Sequence, residues 1–218
     1  KHFAQVFGSY RAQWLKWCGQ IDTPAALDAL QEIVEQLSPA DWPGFVEGVG
    51  AMRHPKVEDR LRSAWLDAPD ALLRRAALRQ MRAAVRDGDA GRFARLSRDP
   101  DREVAEEAVF ALGATKEART VELLRGVIRR TVHPMVAARA LRAWSELAEK
   151  GDQDLVDATL TLVEDDDRFQ VQVVALGVLA LHAPIKGRDI MVDALGDSAR
   201  QVRIAAADAL TKVRERAT

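Results

Sequence analysis

A triplet of apolar residues at four-residue spacing recurs five times along the chain. Its copies are Leu73/Ala77/Met81, Val104/Ala108/Leu112, Val136/Ala140/Trp144, Val171/Ala175/Leu179 and Val202/Ala206/Leu210, and their first members are 31, 32, 35 and 31 residues apart. Spacing by four puts each triplet on one side of an α-helix. A repeat of this length corresponds to one helix pair, and a single pair cannot bury its own apolar face. Successive pairs must therefore stack. The small central alanines let neighbouring helices approach, while the larger outer residues fill the layer between pairs. The segment 99–113 shows the unit most fully: Asp99 is the expected N-cap, Pro100 takes the first helical position, acids fill the first turn, and Gly113 closes the helix.

The rest of the chain fits around this unit. No alternating strand pattern appears, so the expected class is all-α, with 218 residues accommodating about six helix pairs as a single solenoid domain over 1–218. Residues 1–19 stand outside the repeat. There Phe3, Phe7, Tyr10, Trp14 and Trp17 line one helical face, expected to lie against the first repeat as an N-terminal cap. Thr23-Pro24 opens a helix with Leu27, Leu30, Val34 and Leu37 as its buried stripe. The stretch from Trp42 to Met52 contains Gly44, Gly48 and Gly50, which suggests a short or irregular helix. His54-Pro55 starts the next helix, a long one is expected at 70–86 and a short one at 91–97. Pairs then follow at 117–130 with 134–149, 152–164 with 168–182, and 186–195 with 199–214.

The second helix of each unit, with its Asp-x-x-x-x-Val-x-x-x-Ala-x-x-x-Leu spacing, resembles HEAT repeats. The likeness is to the short bacterial HEAT repeats also found in phycobilisome-lyase-type proteins, and it covers roughly residues 55–214. The resemblance implies a right-handed α-α superhelix with the second helices lining its concave side, and a role as a binding scaffold.

Constellations that carry chemistry are missing from the sequence. It has no His-Glu-x-x-His, no Gly-x-Ser-x-Gly, no P-loop and no Cys-x-x-Cys. The four histidines fall in four different units, and Asp165-Asp166-Asp167 lacks the alternating ligands and glycine of a calcium loop, reading instead as helix-start acids. The expectation is a protein that is not an enzyme and requires no cofactor or metal. The lone Cys18 cannot form an intrachain disulfide, which slightly favours a reducing compartment such as the cytoplasm. No apolar run is long enough to span a bilayer. The chain begins at Lys1, as expected of a processed protein or a piece of a longer one; its oligomeric state is not legible.

Charge is unevenly spread although the net is only −1. Residues 74–102 hold nine arginines against four acids, while 151–198 hold ten acids against three bases, and 17–52 hold six acids and no base. Arg75, Arg79, Arg82 and Arg86 share one face of the expected 70–86 helix, opposite Leu73, Ala77, Met81 and Ala84. This ridge, extended by Arg102, Arg139 and Arg142, is the candidate binding strip, since guanidinium forks match carboxylates and phosphates. The favoured reading is a protein-interaction scaffold that binds an acidic or mixed-charge partner along the concave side. The alternatives are nucleic-acid binding through the Arg75–Arg86 ridge, or a helical appendage of a larger enzyme.

Overall fold

The computed structural model describes residues 10–217, which contain helices and no strands. They form two compact units, with the boundary between Thr115 and Lys116. In the first unit the helices are α1 (Arg11–Ile21), α2 (Pro24–Glu32), α3 (Trp42–Ala51), α4 (Pro55–Ser63), α5 (Ala71–Ala83), α6 (Asp89–Leu96) and α7 (Arg102–Ala114). In the second they are α8 (Thr120–Arg130), α9 (Pro134–Leu147), α10 (Gln153–Glu164), α11 (Phe169–His182), α12 (Arg188–Asp193) and α13 (Arg200–Ala217). Within the first unit α3 packs between α1 and α5, and α5 in turn packs on α7. Within the second, α11 packs between α9 and α13, while α8, α10 and α12 back onto the helices that follow them.

The triplets form the core of this stacking. Every triplet residue is buried except Leu210, which is half-buried, and Trp144 and Met81 are among the largest fully enclosed side chains. Each such burial contributes about 1.5–3 kcal/mol for a large apolar side chain. Local signals set the starts of the helices. Thr23 Oγ1 accepts from the Ala26 N–H at 3.2 Å, and the Asp70 carboxylate accepts from Leu72 and Leu73 at 2.7 and 3.3 Å.

Several local expectations are corrected. The cap of α7 is Asp101, which accepts from Glu103 and Val104 at 3.0 Å each. Asp99 is instead buried and receives a two-pronged contact from Arg74, at 2.8 Å to each carboxylate oxygen. Helix α7 also runs through Gly113 to Ala114, and α2 stops at Glu32 before a 3-10 turn over Val34–Gln36, leaving Val34 and Leu37 half-buried. The glycines of 42–52 do not disrupt α3, because they are where two backbones meet. A Cβ on Gly48 would stand 2.2 Å from the Leu15 carbonyl oxygen, and one on Gly44 would stand 2.6 Å from that of Ala12. The side of α1 that faces this contact is Leu15, Cys18 and Gly19. Of the expected aromatic face, Tyr10 and Trp17 are exposed and Trp14 is half-buried; Phe3 and Phe7 lie outside the described residues. Asp22, in left-handed conformation at the end of α1, accepts from the backbone N–H groups of Arg53 and His54 at 2.8 Å each.

Charge is also built into the interior of the first unit. Arg62 and Asp89, both buried, pair through contacts of 2.7 and 2.6 Å, and Asp89 also accepts from the Arg86 N–H at 2.8 Å.

Candidate binding surfaces

The arginine ridge is present, but it is already occupied. Arg75, Arg79 and Arg82 project from α5 toward α7. Arg75 pairs with Glu103, and Arg79 and Arg82 both reach Glu107, at 3.3 and 3.6 Å. The Arg82 guanidinium also lies over the Phe110 ring, 5.2 Å from its centroid. Arg86 leaves the ridge altogether. Helix α5 ends at Ala83, before the turn that contains Gly88 at φ 90°, so the expected helix through residue 86 is three residues too long. From that turn Arg86 reaches back to α4, to Glu58 at 2.8 Å and Asp59 at 3.2 Å. Those carboxylates hold its guanidinium pKa above the ordinary arginine value. Arg102, on α7, pairs with Glu106 of its own helix at 3.3 Å. Among the described residues, Arg75, Arg79, Arg82, Arg86 and Arg102 are thus all compensated by carboxylates.

Arg139 and Arg142 belong to the other unit, on α9, and sequence reasoning gave no indication of what surrounds Arg142. It stands at the rim of a groove of about 350 Å³ whose floor is α11 and whose walls are α9 and α13. Val173, Val174, Val178 and Leu181 of α11 line it, with Ala205 and Ala209 of α13. The rim carries Arg142 and Glu146 on one wall, and Asp208 and Lys212 on the other. These four side chains are exposed, and no ion pair is formed by any of them among the described residues.

The repeat sets the order of these charges. Arg142, Gly177 and Asp208 each lie six residues past the first triplet member of their helix, and Glu146, Leu181 and Lys212 each lie ten past it. Equivalent positions on the two walls therefore carry opposite charges at two successive levels. Helix α11 between them is apolar nearly all round, which suits a helix with a neighbour on either side and a third face over the groove.

At one side of this groove Ser145, which is buried and lines it, is 3.0 Å from His182 Nε2. A nucleophile–base pair needs its base oriented through the other ring nitrogen. His182 Nδ1 is buried with no hydrogen-bond partner among the described residues, and the pair ties α9 to the end of α11. The Asp165-Asp166-Asp167 run does not cap α11. Asp166 instead accepts from the Arg168 N–H at 2.9 Å and from its guanidinium at 2.8 and 2.6 Å, while Arg168 also donates to the Thr131 carbonyl at 3.1 Å. Burial pushes the Asp166 carboxyl up, but the hydrogen bonds and charge of Arg168 together hold it below the ordinary value. Among the described residues no group of three or more His, Cys, Asp or Glu side chains is placed to hold a metal, and no helix is long and apolar enough to cross a membrane. Cys18 is buried, and that burial pushes its thiol pKa up.

No family model and no curated protein matches the sequence. Among solved structures, the chain is similar to the crystal structure of an engineered protein from a structural genomics consortium. The two are 20% identical, the match covers 92% of this chain and 96% of that one, and the TM-score is 0.52. At that identity the likeness concerns the helical fold alone.

Proposed function

We propose that the protein is a non-catalytic, HEAT-type protein-binding module that takes a mixed-charge segment of a partner protein in the α9/α11/α13 groove. The observation that carries this reading is the set of four exposed charges, without an ion pair among the described residues, around an apolar floor. Exposed charges of alternating sign favour a partner of matching pattern and select against wrong ones, while apolar contacts at the centre supply affinity. A phosphate backbone would meet Glu146 and Asp208 as well as the two cations, and at the α5 ridge it would have to displace Glu103 and Glu107 from their arginines. Both features argue against nucleic acid as the ligand.

The test is selection of a displayed random 12-residue peptide library on the wild-type protein, followed by affinity measurement on the Arg142→Glu/Lys212→Glu variant. Enriched peptides should carry both charge signs around an apolar residue and bind the variant about tenfold more weakly or worse, roughly the 1.4 kcal/mol of one good polar contact. A labelled random-sequence duplex, followed by anisotropy at low and near-physiological salt, provides the opposing outcome. Duplex binding that persists with salt and is lost in the Arg75/Arg79/Arg82/Arg86→Ala variant would replace this reading with nucleic-acid recognition.

A further inference from the structure

Gly177 is the least expected residue of the groove. It sits in the middle of α11, is exposed, and lines the groove between the Arg142 and Asp208 positions. Glycine inside a helix is unfavourable relative to alanine, because it loses more backbone freedom on folding. In α3 such glycines are explained by packing, where Gly48 and Gly44 meet the backbone of α1. Gly177 has no such reason. A Cβ added there would meet nothing within 4 Å. The fold thus leaves an empty notch in the floor, flanked by half-buried Val173 and Val174 and the partly exposed Leu181.

We infer that the Gly177 notch is the anchor subsite of the groove, receiving one apolar side chain of a partner segment whose flanking residues bear an acid toward Arg142 and a base toward Asp208. The inference rests on the proposed peptide-binding role and names where and how the segment seats. Charge complementarity commits the occupant: at the notch level one wall is cationic and the other anionic, and one level further along the signs are exchanged, with Glu146 opposite Lys212. A segment with an apolar residue between opposite charges satisfies both walls. A uniformly acidic, basic or phosphorylated one leaves two like charges facing each other. The missing Cβ gives the anchor depth that alanine would remove.

The helix gives this subsite an unusually clean test, because filling it should improve folding. Gly177→Ala and Gly177→Leu both replace a poor helix residue by a good one in open space, so each should raise Tm by about 2–4 °C. Gly126, in the middle of α8 away from the groove, also has nothing within 4 Å of an added Cβ, and Gly126→Ala serves as the control for stabilisation alone. The probes are the 12-residue peptides enriched on the wild-type protein. Binding should be unchanged in Gly126→Ala and weakened several-fold in Gly177→Ala. In Gly177→Leu it should fall by at least about tenfold, as overfilling a well-packed site does. Peptides that bind Gly177→Leu as tightly as wild type but lose Arg142→Glu/Lys212→Glu would overturn the notch and leave the groove as the binding site. A library that enriches nothing would overturn both. A concentration-dependent dimer in sedimentation that Gly177→Leu dissolves would put a second copy of this chain in the groove and overturn the peptide occupant.

Discussion

The α5 ridge and the α9/α11/α13 groove both present charged side chains at helical spacing, yet they use charge in opposite ways. On the ridge each cation is met by a carboxylate of a neighbouring helix, so the charges link helices within the first unit. Around the groove the four charges have no such partner among the described residues and face solvent across an apolar floor. Compensated charge is part of the structure, and its loss shows as stability. Uncompensated charge at an open apolar site contributes little to folding and remains available to a partner. The difference teaches that arginine density alone does not locate a binding surface; the arrangement of the acids does.

Substitutions can break or sharpen this contrast. The largest effect is expected from Arg62→Ala, which leaves the buried Asp89 carboxylate without its cation and should cost about 3–5 kcal/mol in urea unfolding. Next comes Arg168→Ala in the second unit, which removes charged hydrogen bonds to Asp166 and should cost about 1.5–3 kcal/mol at pH 7. Asp166 is held below the ordinary carboxyl value of 3.8, so its stabilisation is present above that value and is lost as pH falls through the lower folded-state value. The gap between wild type and Arg168→Ala should therefore be constant near neutrality and close below about pH 4, which unfolding curves across pH 3–7 would reveal. Arg79→Ala/Arg82→Ala should cost about 1–2 kcal/mol, because Glu107, only 12% exposed, loses both its cations. The smallest effect on stability belongs to Arg142→Ala/Lys212→Ala, within about 0.5 kcal/mol by calorimetry. If that pair destabilised the fold as much as the ridge pair does, the groove charges would be structural too.

The core was legible in the sequence because its signal is local. Four-residue spacing fixes a helix face, and the recurrence of Val104/Ala108/Leu112 and its relatives identified nearly all the buried triplet positions. Caps were less legible. Asp99 and Asp101 are both acids near Pro100, and only the folded chain shows that Arg74 claims the first and leaves the second to cap α7. The charge balance misled for a definite reason. The carboxylates that meet Arg75, Arg79 and Arg86 lie 27 or 28 residues away, one repeat along the chain, so a contiguous window over 74–102 counts the cations and misses Glu58, Glu103 and Glu107. Comparing residues 28 apart, three short of the 31-residue step from Leu73 to Val104, would have exposed that pairing, while comparing equivalent positions of successive repeats brings Arg142, Gly177 and Asp208 into one row. The glycines of α3 hid a close contact, since sequence shows where a side chain is missing and not which backbone takes its place.

That contact makes Cys18 useful as a clock. It is the sole thiol in the chain, held on the side of α1 that also presents Gly19 to the α3 backbone. A buried thiol with a raised pKa reacts with a disulfide reagent only when its surroundings open. Its labelling rate under native conditions therefore times the parting of α1 from α3. Gly48→Ala, which pushes the two backbones apart, should speed that reaction manyfold while labelling of the fully unfolded chain keeps its pace.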